Sequence, residues 1–510
     1  MTPRIALLIL LLSQMSGLSQ GFRSRSFSAG ALDQAARFIY ETPGYPHHYL
    51  AGGVITDTLD GQYVLRLGIM GLDQDGKVLW QKKYGDKTHQ YYHHPFIRRS
   101  FYKQENFIYT ACYTADTNGT LIGTLVKFDL DGDTLWQRFY RDPDPWGRVI
   151  PQMVTGAVDG GFLITGYFLD EGLNPYQQVI LIKTDAQGQE LWRKKIPLLN
   201  SNMQEGRAIL QDSASRKIVI VGSQYLNGIK SYDHVLILDS LGQIIQRLRY
   251  LDSEGALTDL IQTRDKHLVA TGVKAYNQFN GQYYLYQGFA VKLDLHQPSH
   301  PLWTINGYGP KTRNNNFTCL YEMENGDLMI GGDLDTFQVL NMAPNQYHRL
   351  TQVNPNGQIK WSRLYDYRPE NSALPNYYKT NTSLQPGSNG SILASFQLYN
   401  PGTNPFFFVK YDSLGCDSTL DYCTALLAGL GTDLIPSSQL RLYPNPAREQ
   451  VTIETDLGRP ASLIISDVSG REVKRLVIEP GKTRIDLQEL SPGLYFLNRP
   501  GETPLRLIKE

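Results

Sequence analysis

The chain has 510 residues, and 49 Lys and Arg are balanced by 49 Asp and Glu, so its formal net charge is zero. That balance argues against a bulk electrostatic grip on nucleic acid or on an anionic membrane, and the length is too great for one hydrophobic core, so two or more domains are expected. Gly (46), Tyr (32) and Pro (27) are plentiful while charged residues are 19%, the mix that many short strands joined by tight turns require.

The first predicted element is a leader. Arg4 gives a positive start, Ile5 to Leu12 is an unbroken apolar run too short to span a bilayer, and Gly17-Leu18-Ser19 fits a small-x-small cleavage site. Residues 1–19 therefore read as a signal peptide with Gln20 as the new N-terminus. No Cys follows the run for lipid attachment, and no later segment is long and apolar enough for a transmembrane helix. The next segment, Phe22-Arg23-Ser24-Arg25-Ser26-Phe27, alternates like a strand.

One pattern then recurs to about residue 424: an alternating apolar run, Asp or Asn, a Gly three later, and often a Trp four after that. Its copies are Asp73/Gly76/Trp80, Asp129/Gly132/Trp136, Asp185/Gly188/Trp192, and Asp239/Gly242 with Gln246 in place of Trp. Asp294 and Trp303 follow with a longer turn, His296 to His300. Then come Asn354/Gly357/Trp361, and Asp412/Gly415, which degenerates at Cys416. The copies lie 54 to 58 residues apart.

A second motif interleaves with the first. Examples are Tyr49-Leu50-Ala51-Gly52-Gly53, Phe162-Leu163-Ile164-Thr165-Gly166, Ile218-Val219-Ile220-Val221-Gly222 and Leu328-Met329-Ile330-Gly331-Gly332. Such short apolar runs bounded by turns suit buried strands. Two further runs give four strands per repeat, and a four-stranded sheet cannot cover both of its own faces. Stacked radially, seven of them bury one another, so residues 20–424 are expected to form a seven-bladed β-propeller. The Asp-x-x-Gly stretch is the hairpin turn. Trp80, Trp136, Trp192, Trp303 and Trp361 are expected to pack between blades. Phe22 to Phe27 is expected to supply the strand that the seventh copy lacks.

Candidate chemistry is sparse. Asp73-Gln74-Asp75-Gly76 and Asp129-Leu130-Asp131-Gly132-Asp133 resemble half of a calcium loop, but no bidentate Glu closes either, and they read as ordinary turns. His47-His48, His89 and His93-His94 cluster around the aromatic run Gln90-Tyr91-Tyr92, which is expected to be a packed inter-blade loop ahead of a metal site. Tyr283-Tyr284-Leu285-Tyr286 and Tyr377-Tyr378 suit sugar or protein recognition where exposed, and otherwise wall the core. Asp142 and Asp144 read as loop carboxylates. There is no nucleophile elbow, His-Glu-x-x-His or P-loop. No catalytic residue, metal ligand or cofactor is assigned, and the ligand-binding residues are not identifiable. Cys112 and Cys319 sit in apolar runs and read as buried thiols. Cys416 and Cys423 bracket a turn-rich stretch and are spaced for a disulfide.

Residues 425–438 form a linker with Gly429, Gly431, Pro436, Ser437 and Ser438. Beyond it, residues 439–510 hold about seven short alternating strands, with turns at Ser469-Gly470, Pro480-Gly481 and Pro492-Gly493. A small immunoglobulin-like β-sandwich is expected, which makes the whole chain all-β. This stretch carries Tyr443-Pro444-Asn445-Pro446, then Asp467-Val468-Ser469-Gly470-Arg471-Glu472-Val473, then Leu490-Ser491-Pro492-Gly493-Leu494-Tyr495-Phe496. In that order the motifs closely resemble the type A C-terminal sorting domain of the type IX secretion system of Bacteroidetes. The final Glu510 departs from that family's basic end. The resemblance implies handling by the type IX machinery, passage across the outer membrane, and a secreted or cell-surface product. The repeats are similar to those of uncharacterised exported Bacteroidetes proteins, and to the tryptophan-docking repeat of quinoprotein propellers. Asp and Gly stand four apart in that repeat and three apart here, a departure from the quinone-binding pattern.

The function expected is a secreted, surface-displayed binding, adhesion or structural module whose partner is an extracellular glycan or protein. The alternative is an extracellular propeller enzyme, a lyase or glycoside hydrolase acting on polysaccharides.

Overall fold

This computed structural model describes residues 22–26, 33–92, 99–115, 119–172, 176–197, 201–226, 230–251, 254–279, 283–308, 314–336, 345–365, 378–399, 406–413, 415, 425–427, 440–455, 461–467, 472–479, 481–498 and 505–510. The leader at 1–19, most of the linker, and Cys416 with Cys423 lie outside them. By internal contacts the chain divides into two units, 1–358 with 363–423, and 359–362 with 424–510.

The first unit is built from antiparallel sheets, seven among the described residues. The third is representative: Gly147–Gly156, Phe162–Asp170, Tyr176–Thr184 and Glu190–Ile196 pair in chain order. Its apolar runs read as strands because β-branched and aromatic side chains pack well on a pleated surface that is covered from both sides. The first strands are Asp33–Glu41, Phe101–Gln104, Gly147–Gly156, Ser201–Gln211, Gly255–Gln262, Asn315–Glu322 and Tyr378–Pro386. Each touches the first strand of the next sheet, and the last touches the first. Apolar clusters fill the spaces between successive sheets, as where Phe38, Leu67 and Ile69 meet Phe101, Ile108 and Phe128.

The aromatic run expected as a loop is partly a strand: Gln90–Tyr92 pairs with Phe107–Ala115, so the second sheet's first strand is in two pieces. The N-terminal segment Phe22–Ser26 pairs with Phe406–Tyr411, with Phe22 opposite Lys410 and Ser26 opposite Phe406. It is the fourth strand of the seventh sheet, supplied from the other end of the chain.

Four outermost strands carry a tryptophan ring onto the hairpin turn of the next sheet. Trp80 covers Gly132, Trp136 covers Gly188, Trp192 covers Gly242 and Trp303 covers Gly357; a Cβ built on any of these glycines would lie 2.6 to 2.8 Å from an indole carbon. The same glycines hold φ between 75° and 83°, so position and conformation both select Gly. The turn's Asp fixes it from within: Asp185 accepts the N–H groups of Gln187 at 2.9 Å and Gln189 at 2.8 Å. Four residues after the Trp position a tyrosine hydroxyl donates to the next turn. Tyr84 donates to Gly132 O, Tyr140 to Gly188 O at 2.8 Å, and Tyr365 to Gly415 O. Phe22 takes the aromatic part for the first sheet: a Cβ on Gly76 would lie 2.4 Å from its ring. Gln246 and the long fifth turn are two halves of one junction, where Gln246 Nε2 reaches Ser299 Oγ at 3.3 Å and Tyr250 Oη donates to Pro298 O.

The first strands share an irregularity. Six of them slip by one residue against the second strand, for example between Ala36 and Phe38, Pro151 and Met153, and Phe317 and Cys319. The bulge presses a first-strand carbonyl onto its neighbour. A Cβ on Gly53 would lie 1.9 Å from Ala35 O, and one on Gly332 1.8 Å from Asn316 O. This close approach explains why the second motif so often ends in Gly.

The second unit holds two sheets. Leu440–Tyr443, Gln450–Thr455 and Gly481–Asp486 form one, and Glu472–Ile478, Ala461–Asp467, Gly493–Asn498 and Leu505–Lys509 the other. Val451, Ile453, Ile465, Ile478, Leu497 and Leu507 lie in their shared apolar cluster.

The inter-sheet contact predicts unequal costs for two glycine substitutions. Gly188→Val puts a methyl into the Trp136 ring and a β-branched residue at φ +75°, and is expected to cost about 3–5 kcal/mol. Gly160→Ala, at φ +88° with nothing within 4 Å, should cost about 1–2 kcal/mol. Denaturant midpoints compare them, and equal losses would discount the ring contact. Phe22→Ala removes a buried ring and is expected to cost about 3–5 kcal/mol. Deleting residues 22–26 should lower the melting temperature further, and an unchanged melting temperature would show that closure does not depend on this strand.

Candidate functional site

The C-terminal halves of the first strands converge on one cavity of about 550 Å³. Six of the seven sheets contribute: Tyr40 and Glu41, Phe101 to Lys103, Met153 to Thr155, Ile209 and Leu210, Leu260 to Gln262, and Gln385 with Pro386. Arg99 also lines it, and reaches the remaining sheet by donating from Nη2 to Leu320 O.

Arg99 and Asp259 form an ion pair between the second and fifth sheets, Nε to Oδ2 at 3.1 Å. Asp259 is fully buried and accepts the N–H groups of Leu260 and Leu320, each at 2.9 Å. Burial pushes its carboxyl up from the usual range, and the Arg99 charge pulls the other way. Tyr40 Oη donates to Phe101 O at 3.0 Å. Lys103 Nζ donates to Glu41 O at 2.7 Å, and burial pulls this ammonium below its ordinary range. The Glu41 carboxylate takes the Ser388 N–H at 2.7 Å and the Ser388 hydroxyl at 3.0 Å. Cations, one carboxylate, phenols and amides therefore face one concave space, which is the make-up of a ligand site.

A second buried polar group lies on the third and fourth sheets. Glu205 accepts Gln152 Nε2 at 2.7 Å, Ser223 Oγ at 2.9 Å and Arg207 Nε at 2.7 Å. Beside it His234 is fully enclosed, and among the described residues neither ring nitrogen has a hydrogen-bond partner. Burial holds this imidazole down at about 3, with the Glu205 charge opposing.

The residues singled out by sequence do not gather at either place. His47 is buried edge-on against Trp80, centroids 5.3 Å apart, and burial lowers its pKa. His48 is exposed, and so is His89, whose Nδ1 lies 3.6 Å from Asp86. His93 and His94 fall outside the described residues. Tyr91 donates to Gln137 Oε1 at 2.7 Å, and Tyr92 stacks on Tyr113 at 5.3 Å. Tyr283 and Tyr284 stand at a strand start, while Tyr377 lies outside the described residues. Asp129 spends an oxygen on the Asp133 N–H at 2.7 Å, as a turn Asp does. Asp142 is buried between Lys195 at 3.0 Å and Arg193 at 3.5 Å, and Asp144 accepts the Trp146 N–H at 3.0 Å. Among the described residues no group of three or more His, Cys, Asp or Glu is set to hold a metal ion. Cys112 and Cys319 are both buried. Trp80, Trp136, Trp192 and Trp303 lie on the turn glycines described above, and Trp361 is half-buried in Ile359–Tyr365.

In the second unit Tyr443, Pro444, Asn445 and Pro446 are exposed. Asn445 Oδ1 accepts the Ile508 N–H at 2.9 Å, which ties the motif to the last strand. Glu510 N donates to Ala447 O at 2.9 Å, and its carboxylate lies 3.0 Å from Arg448. Tyr495 is buried and donates to Ser491 O at 2.7 Å, closing the turn that holds the exposed Pro492 and Gly493. Asp467 ends its strand, while Gly470 and Arg471 lie outside the described residues.

Sequence reading missed Arg99, Lys103, Tyr40, Tyr102 and Asp259. The available signal was slight: Arg98-Arg99 and Lys103 flank Phe101 and Tyr102 just ahead of the second motif's second copy.

Residues 441–504 match the family model described as the secretion system C-terminal sorting domain. The chain thus carries a type IX sorting domain and is exported, to the cell surface or beyond it. No curated protein sequence matches the chain. Among solved structures, a protein of unknown function from Dyadobacter fermentans aligns at 12% identity and TM-score 0.41, covering 64% of this chain and 96% of that one. The α-L-arabinofuranosidase Arb93A from Fusarium graminearum aligns at 10% and 0.41, covering 64% and 97%. A family PL25 ulvan lyase aligns at 9% and 0.36, covering 76% and 92%. Among the described residues no helix is long and apolar enough to cross a membrane.

His234 gives a pH prediction. Its unfolded value is about 6.5 and its folded value about 3, so the unfolded chain binds the extra proton between them. Its contribution to stability is whole above about pH 6.5 and declines toward pH 3 by up to about 1.4 kcal/mol per pH unit. His234→Phe, which copies Phe289 and Phe407 at the equivalent register positions, should flatten the acid limb by one proton in urea titrations from pH 7 to 4. An unaltered slope would show that this histidine is not a source of the acid loss.

Proposed function

We propose that this exported chain is a seven-bladed β-propeller, residues 20–424, joined by a linker at 425–438 to an immunoglobulin-like β-sandwich at 439–510, and that the propeller is a binding module whose ligand enters the cavity at the first strands. The expected ligand is an extracellular glycan or a protein segment. The supporting observation is the convergence of Tyr40, Arg99, Tyr102, Lys103, Gln262 and Gln385 from several sheets on one concave space. Its volume lies in the range of about 300–1,000 Å³ that small-ligand sites occupy.

Binding is favoured over hydrolysis by the carboxylate inventory. A glycosidase uses two carboxyl groups, roughly 5–10 Å apart. Among the lining residues described, the carboxylate is Glu41, and Ser388 engages both its oxygens. A glycan array probed with the full chain, followed by calorimetry on each hit, is the test. Retention of a saccharide, at least ten-fold weaker in Tyr102→Ala with an unchanged melting temperature, supports the reading. Cleavage of the retained saccharide, or binding indifferent to Tyr102→Ala, overturns it.

A further inference from the structure

We infer that the cavity takes an anionic group, the carboxylate or sulfate of an acidic sugar, on Arg99 and Lys103. This inference rests on the cavity being the binding site, and adds the charge of what it binds.

The charged side chains that line the cavity are Arg99, Lys103 and Glu41. The Glu41 oxygens are engaged elsewhere, by the Ser388 N–H and hydroxyl and with Lys410 at 4.0 Å, and its charge reaches Lys103 without an ion pair within 4.0 Å. Lys103 spends one N–H on a neutral acceptor, Glu41 O. Among the described residues no carboxylate lies within 4.0 Å of its ammonium, which keeps two donors and a positive charge. A half-buried ammonium in that state gains by receiving an anion, because the surrounding protein screens less than water does.

Arg99 is prepared differently. Asp259 holds Nε, and Leu320 O holds Nη2. The Asp259 carboxylate is itself fixed by two main-chain N–H groups at 2.9 Å. The guanidinium is thereby locked on one edge. Five N–H bonds in a rigid plane leave donors on the other edge for a planar or tetrahedral oxyanion. Little side-chain freedom remains to be lost when a ligand arrives. The two cations stand four residues apart, Arg99 just ahead of the strand Phe101–Gln104 and Lys103 within it. Tyr102 between them adds a half-buried phenol to the same wall. Ring, phenol and two cations match a sugar that carries an acid group.

The test is calorimetry on the full chain with D-glucuronate, D-glucose and inorganic sulfate, at 20 and 200 mM NaCl. Expected are glucuronate or sulfate binding at least ten-fold tighter than glucose, weakened by added salt. Lys103→Gln should reduce anion affinity at least ten-fold, and by a larger factor than it reduces glucose affinity. Arg99→Leu alone strands a buried carboxylate, so the paired variant Arg99→Leu/Asp259→Leu removes the cation without that defect and should also lose the anion. Sulfate bound without glucuronate assigns the group as a sulfate, and the reverse as a carboxylate. Glucose bound as tightly as glucuronate, with Tyr102→Ala weakening both, overturns the anion inference and leaves the cavity reading standing. If none of the probes binds and the array hits ignore Tyr102→Ala, both fall.

Discussion

The first unit depends on a contact that no single sheet can make for itself. An aromatic ring on the outermost strand of one sheet lies against the hairpin glycine of the next, and a tyrosine hydroxyl from the same strand holds that turn's carbonyl. Most sheets give a ring at one side and receive one at the other, and the fourth and fifth meet through Gln246 and Ser299 instead. The arrangement therefore has no free end once the last sheet meets the first. Apolar clusters between sheets supply bulk burial, but burial is not directional. The ring on the glycine is what fixes where one sheet stops relative to its neighbour.

This contact also explains what was legible in the sequence. Asp185, Gly188 and Trp192 recur because a turn is local and its chemistry is written in adjacent residues. The partner of each tryptophan is not local. Trp136 belongs with Gly188, about one repeat further on, so two apparent defects, Gln246 and the stretched turn at His296 to His300, looked independent. They face one another and are one altered junction. The Gly that ends the second motif was visible too, but its reason was hidden, since the intruding carbonyl comes from a bulge in another strand.

The cavity was the least legible part. Six of the seven sheets contribute a few residues each to it, and those are the positions where repeats differ. Glu41, Lys103 and Gln262 sit at matching places in three sheets without resembling each other. Adjacency in sequence pointed elsewhere, to the histidines, which the fold separates: His47 goes under Trp80 and His89 to the surface. In the small C-terminal unit the motifs were contiguous, so they could be read directly. Even there the hydrogen bond from Ile508 to Asn445 is a link that only the fold reveals.

The strand taken from the far end of the chain has a consequence for assembly. Until Phe22–Ser26 arrives, Phe406–Tyr411 is an unpaired edge whose first four residues, Phe-Phe-Phe-Val, are apolar and uncharged. Such an edge is an aggregation template, and pairing across nearly 400 residues (Phe22 to Lys410) is slow to form. Two chains caught in that condition present each other with the strand each one needs. Exchange of this five-residue piece would yield interlocked dimers with every native contact intact. Dilution or rapid delivery of the N-terminal segment then favours closure within one chain over exchange between two.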